Sequence, residues 1–156
     1  STAAGTLPAP PTAPPPGTPA GWCGWWWRPR SGLGGKEHSR NHAINTARLL
    51  NHISPDEVRL HNLMLSPGAP LTEMAEKGLF YPATRREIIE ETLIFLEELN
   101  IDTFLISHGS CYLRMDLMLL DDKEEGLALL RKALTLEGAE ELEKEGILVG
   151  ELSRVL

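Results

Sequence analysis

The chain has 156 residues, of which 42% are hydrophobic and 24% charged, and its formal net charge is −7. This composition is that of an ordinary globular domain, and no apolar run reaches the roughly 18 residues of a membrane-spanning helix. The acidic balance argues against a general nucleic-acid-binding protein, which needs clustered lysine and arginine. The two cysteines, Cys23 and Cys111, form no Cys-x-x-Cys pair, so we expect a reducing, cytoplasmic location.

The beginning of the chain differs in composition from the rest. Residues 1–35 hold 8 of the 12 prolines, 7 of the 14 glycines and all four tryptophans, but only two charged residues, Arg28 and Arg30. Such a segment has too few bulky apolar side chains to offset the entropy of ordering, so we predict a disordered arm over residues 1–31. The tryptophans in it either bind a membrane interface or a Pro-rich ligand, or reflect a shifted reading frame in an incomplete product.

Apolar spacing predicts the first elements beyond this arm. A helix is expected over residues 36–53, because the pattern of helical spacing stops at Ser54-Pro55. Alternation over residues 57–65 predicts a strand with two distinct faces, Val58, Leu60 and Asn62 on one and Arg59, His61 and Leu63 on the other. A short helix over residues 71–77, closed by Gly78, follows.

The second half of the chain continues the alternation. Thr84 and Glu87 form a capping box, which predicts a helix up to Asn100. Residues 101–107 are rich in β-prone side chains and predict a short buried strand. Asp121 and Asp122 suggest the N-cap of a further helix through Leu134, and residues 137–156 are expected to form a charged helical tail.

Strands that alternate with helices indicate an α/β fold of parallel strands joined by helical crossovers. Two strands are clear, and a third is expected to end at Gly32. Two or three parallel strands with four to five helices would leave exposed edges, so we predict that residues 32–136 are an incomplete (β/α) barrel fragment.

Three local patterns suggest chemistry. Glycines at 32, 34 and 35 precede the first helix, where they either allow a ligand close to the backbone or form a flexible junction. His38 and His42 are spaced to share one helix face, as zinc ligands or as plain polar residues. Cys111 near His108 suggests either a nucleophile beside a base or a small core residue.

Taken in order, motifs over residues 32–136 resemble the later half of radical S-adenosylmethionine enzymes, in particular an iron–sulfur oxidoreductase group. The matching segments are Gly32-Leu33-Gly34-Gly35, His42-Ala43, Thr46-Ala47, Leu50-Asn51, Ile53, Pro55-Asp56, Val58-Arg59-Leu60, Leu63, Pro67-Gly68, Pro70-Leu71, Gly78, Glu87, Glu91, Leu99, Leu120, Asp122-Lys123, Leu130 and Leu134.

The resemblance implies a partial barrel in which a four-iron four-sulfur cluster, held by three cysteines, cleaves S-adenosylmethionine. It assigns Gly32, Gly34 and Gly35 to the adenosyl part of the cofactor and places Leu63 at the adenine. The family's three-cysteine loop is missing from this chain, so we expect neither cofactor to bind stably to it alone. Residues 107–112 also depart from the family's loop after the last strand.

Two functions from different classes follow. The first is the carboxy-terminal part of a radical S-adenosylmethionine enzyme, inactive alone, with no catalytic or metal-binding residues of its own and with a missing amino-terminal half or a second copy as partner. The alternative is a non-catalytic interaction module that uses exposed apolar faces of its leucine-rich helices and a Pro-rich linker. Neither reading involves nucleic acid or a membrane, and the small-molecule substrate is unknown.

Overall fold

The structure is a computed structural model that describes residues 26–107 and 115–135. These residues form a mixed α/β fold. The strands are β1 (Trp26–Trp27), β2 (Arg30–Ser31), β3 (Glu57–Arg59), β4 (His61–Asn62), β5 (Phe104–Ser107) and β6 (Met115–Met118). The helices are α1 (Gly35–Ile53), α2 (Pro70–Glu76), α3 (Arg85–Glu98) and α4 (Leu119–Thr135). The predicted alternation of strands and helices is confirmed, but the strand expected over residues 57–65 is divided into β3 and β4, and β1 and β6 are additions.

The larger sheet has the order β1-β3-β5-β6, in which the first three strands are parallel and β6 is antiparallel to β5. Strands β2 and β4 form a second parallel pair. Trp27 is paired with Val58 and Arg30 with His61, so the register of β1 on β3 continues through β2 on β4. The interruption falls at Pro29, which has no N–H to donate to the ladder.

One face of the sheet is covered by helices. The strand residues with even numbers, Val58, Leu60 and Asn62, are buried, while the odd-numbered residues between them are partly exposed, which confirms the predicted alternation. The buried strand residues pack into one core with residues of α1, α3 and α4, among them Ala43, Ala47, Leu50, Ile89, Phe95, Leu96, Leu127 and Leu130. The opposite face, which carries Arg59 and His61, has no described helix against it.

The described residues form no closed barrel. They support the α/β class with parallel strands, and the sheet is open with helices on one side. None of the helices in the described ranges combines the length and apolar character that a bilayer crossing requires.

Three boundaries differ from expectation, the first being that the strand predicted up to residue 65 ends at Asn62. The strand expected to end at Gly32 is β2, and with β1 it brings the last six residues of the predicted arm into the folded part. Helix α4 begins at Leu119, ahead of the predicted N-cap pair, and the Asp122 carboxylate accepts a hydrogen bond from the Met118 N–H within its first turn. The predictions for residues 1–25, for His108 and Cys111 and for the 137–156 tail lie outside the described residues.

Candidate functional site

A tight glycine turn, residues 32–35, joins the carboxyl end of β2 to α1. Gly32 has φ +87° and Gly35 has φ +59°, which are left-handed conformations that residues with a Cβ rarely adopt. The Gly35 N–H donates to the Gly32 carbonyl over 3.0 Å and closes the turn. The backbone therefore needs glycine at both positions, whether or not a ligand is bound.

The glycine turn is packed closely against the segment before α3. A Cβ on Gly35 would lie 2.7 Å from the Tyr81 carbonyl oxygen and 2.9 Å from the Phe80 ring. The Lys36 N–H donates to the same Tyr81 oxygen over 2.9 Å. A Cβ on Gly34 would lie 2.9 Å from the His38 backbone. Gly34 and Gly35 thus allow the turn to approach neighbouring backbone of this chain.

A buried carboxylate holds the glycine turn from the other side. Glu91 on α3 is only 2% exposed, and its Oε1 accepts the Gly32 N–H over 2.8 Å. Its Oε1 also lies 3.0 Å from His42 Nδ1, and its Oε2 accepts from the Ser39 hydroxyl. A buried carboxylate requires such partners, because its desolvation is otherwise costly. Glu91 therefore fixes both the turn and α1 on α3.

Sequence reasoning included Glu91 in the resemblance but gave it no role. The sequence does contain an indication of its role. Glu91 is a charged residue on the helix face where the spacing of Ile88 and Leu96 predicts burial in the core. The contact also accounts for His42, which the sequence paired with His38 as a zinc ligand candidate. Within the described ranges, no three His, Cys, Asp or Glu side chains are grouped to hold a metal ion.

Leu63 lies beside the glycine turn. Its N–H donates to the Ser31 carbonyl over 2.8 Å, just beyond β4. A Cβ built on Gly32 would lie 3.6 Å from the Leu63 Cβ and 3.4 Å from the Ile88 side chain. The structure thus brings Gly32 and Leu63 together, whereas Gly34 and Gly35 face the His38 backbone and the Phe80-Tyr81 segment.

These residues lie at the carboxyl edge of the parallel strands, which is where open α/β sheets bind ligands. The helix-covered face of the sheet is apolar along the strands but polar at their carboxyl ends. Three polar residues are buried there: Ser31, Asn62 and Ser107. Asn62 is 5% exposed, and its Nδ2 has no hydrogen-bond partner in the described part of the chain. Buried amides normally have one, so Asn62 presents at this edge a donor that no described residue uses.

The cofactors that the resemblance implies fit this arrangement unequally. An iron–sulfur cluster needs three converging thiolates, and the chain has two cysteines, Cys23 and Cys111, so its residues do not fit a cluster. The amides of Gly32 and Gly35 donate within the protein and are not available to cradle a ligand. What remains for an adenosyl group is the side chain of Leu63 and the shape of the turn beside it.

A depression lies at the opposite edge of the sheet, before the amino-terminal end of β5. It is lined by Leu99, Asn100, Ile101, Leu119, Leu120, Asp121, Lys123 and Glu124. The Lys123 ammonium donates to the Leu99 and Glu97 carbonyls and so caps the end of α3. Its cation is used structurally, and the depression offers no convergent catalytic groups.

Comparison with models of protein families, with curated proteins and with solved structures finds no match for this chain. The resemblance to radical S-adenosylmethionine enzymes therefore depends on the motifs in the sequence, and the geometry of the glycine turn is independent of it.

Proposed function

We propose that residues 32–136 are the carboxy-terminal part of a radical S-adenosylmethionine enzyme and supply the adenosyl and substrate side of a barrel. The chain acts in the cytoplasm and is inactive alone, because the cluster must be held by cysteines that it lacks. Its own residues shape the surface that would face the adenosyl group: Glu91 fixes the glycine turn, and Leu63 provides an apolar contact next to it.

The observation that carries this proposal is the juxtaposition of Gly32 and Leu63 at the carboxyl edge of parallel strands. The two positions are 31 residues apart in the sequence, and the resemblance assigns both to one cofactor. The open sheet, with helices on one side and a partly exposed opposite face, supports it as well, since a barrel fragment would have this form.

The proposal is tested with S-adenosylhomocysteine, which needs no cluster and no reductant. The ¹⁵N-labelled full chain is titrated to millimolar ligand, and we expect weak, saturable shifts of the Gly34 and Leu63 amides. Leu63→Asp should lose these shifts. Met64→Asp is the matched control, because the neighbouring Met64 side chain is 51% exposed, and it should keep them.

Shifts scattered over the helices, or an equal response of both variants, would contradict the assignment of this edge to an adenosyl group. Circular dichroism of each variant verifies that the fold is retained, so that a lost response reports the contact itself.

The interaction module is the second candidate. It requires exposed apolar faces on α3 and α4, but Ile89, Leu96, Leu127 and Leu130 on these helices lie in the core. The exposed apolar residues near α4 are Met118 and Leu120, at its beginning. No described apolar helix face of the expected kind supports this candidate, and we place it second.

A further inference from the structure

The sheet face that no described helix covers carries a group of basic side chains. Arg30 on β2 is paired in register with His61 on β4, and the same register places Arg28, which lies between β1 and β2, beside Arg59 at the end of β3. Residues paired in this way in a parallel sheet project from the same face. Arg28 and Arg30 are exposed, and Arg59 and His61 are partly exposed.

This arrangement is unusual in a chain whose net charge is −7. Like charges on neighbouring strands repel each other, so a sheet does not gain stability from placing arginines side by side. Among the described strand residues, the acidic groups on the same face are Glu57, which forms an ion pair with Arg59, and Asp116 on β6. Arg30 has no ion-pair partner in the described part of the chain. Within the described ranges, Arg30 is therefore the member of this group that no acid neutralises, since Arg59 is paired with Glu57 and Arg28 and His61 have contacts of their own.

Apolar side chains adjoin the basic group on the same face. Phe104 and Ile106 on β5 are paired with Glu57 and Arg59, and both are partly exposed. Leu63, directly after β4, continues the alternation that places the odd-numbered residues Arg59 and His61 on this face. A ligand on this face would thus contact guanidinium groups at one end and an apolar surface at the other, which is the usual combination in small-molecule sites.

We infer that this open face binds a small organic anion, in which a carboxylate or phosphate contacts Arg30 and Arg59 and an apolar body lies on Phe104 and Ile106. Guanidinium groups bind both kinds of anion through paired N–H donors, so the shared chemistry is the anion. The inference rests on the proposed function and deepens it, because it assigns an anionic class to the substrate of the barrel fragment.

Three probes of similar size test this inference on the ¹⁵N-labelled full chain at low salt: phenyl phosphate, benzoate and uncharged benzyl alcohol. We expect phenyl phosphate, benzoate or both to shift the amides of Arg30, His61 and Ile106, with an affinity that falls as salt is added. Benzyl alcohol should bind at least about tenfold more weakly. Comparison of the dissociation constants of phenyl phosphate and benzoate identifies which anion the face prefers.

Arg30→Gln and Arg59→Gln should each raise the dissociation constant of the better anion roughly tenfold. Arg131→Gln is the matched control, because Arg131 forms an exposed ion pair with Glu97 on the helix side, and it should leave the constant unchanged. Equal binding of benzyl alcohol, an unchanged constant in Arg30→Gln and Arg59→Gln, or shifts confined to helix termini would each overturn the inference. Loss of the S-adenosylhomocysteine response with anion binding intact would instead count against the adenosyl assignment alone.

Discussion

Glu91 is the residue on which the geometry of the candidate site most depends. One carboxylate joins three parts of the chain, because its partners are the Gly32 amide in the turn and Ser39 and His42 on α1. The glycine turn can therefore hold its shape beside Leu63 without support from a ligand.

Glu91→Gln should lower the free energy of unfolding by about 2 kcal/mol, since the amide replaces one of the two acceptor oxygens with a donor and removes the charge that strengthens the remaining hydrogen bonds. Urea unfolding followed by circular dichroism measures the change. Glu90→Gln is the control, because Glu90 forms an exposed pair with Arg86 one turn away, and its effect should stay below about 0.5 kcal/mol. Equal effects of the two substitutions would show that the Glu91 contacts do not stabilise the turn.

Two glycines with positive φ allow the effect of crowding to be separated from that of backbone conformation. Gly35→Ala places a Cβ 2.7 Å from the Tyr81 oxygen, whereas Gly68, with φ +78°, has no atom within 4 Å of such a Cβ. We expect Gly68→Ala to cost about 1 kcal/mol, which is the cost of the left-handed conformation, and Gly35→Ala to cost at least about 2 kcal/mol. Urea unfolding of both variants is the measurement, and a smaller cost at Gly35 would contradict the close approach.

Among the elements, α3 is the one that the sequence predicts best. The Thr84 hydroxyl accepts the Glu87 N–H, and the Glu87 carboxylate accepts the Thr84 N–H over 2.6 Å, so both bonds of the capping box are present. Local signals suffice here because every partner lies within three residues. By contrast, β6 depends on pairing with β5 across residues 108–114, and a four-residue segment with one charged side chain gives little local indication of it.

The capping box makes the stability of α3 depend on pH. The hydrogen bond from the Thr84 backbone lowers the pKa of the Glu87 carboxyl below its usual value, although partial burial opposes this. Because the pKa is lower in the folded state, this stabilisation is present above the pKa of the unfolded chain and is lost as the pH falls through the folded pKa. Wild type should exceed Glu87→Gln in unfolding free energy by less than about 1 kcal/mol at pH 7, and by less still at pH 3. An advantage that grows toward pH 3 would contradict this sign.

On the scale of the whole molecule, the sequence predicts the α/β class and the two faces of the segment that forms β3 and β4, because both follow from hydrophobic periodicity. It identifies Gly32 and Leu63 as candidates, but their contact depends on the register of β2 on β4, which no local pattern specifies. The role of Glu91 and the basic group on the open face depend on the same long-range packing. These features therefore emerge from the fold and not from the motifs.

The cysteine content of the chain determines what it can hold as a whole. A four-iron four-sulfur cluster with one open iron needs three thiolates that converge on it, and the chain supplies two cysteines, 88 positions apart in the sequence. Anaerobic reconstitution of the full chain with iron and sulfide should leave less than a stoichiometric cluster after desalting. The iron and sulfide content and the visible charge-transfer absorption give the measurement.

A variant with Cys23→Ser and Cys111→Ser should retain the same residual iron as wild type, since neither thiol completes a site. A full cluster that disappears in this double variant would mean that the chain binds the cofactor through a ligand set other than three cysteines, and the proposed division of the barrel would be wrong.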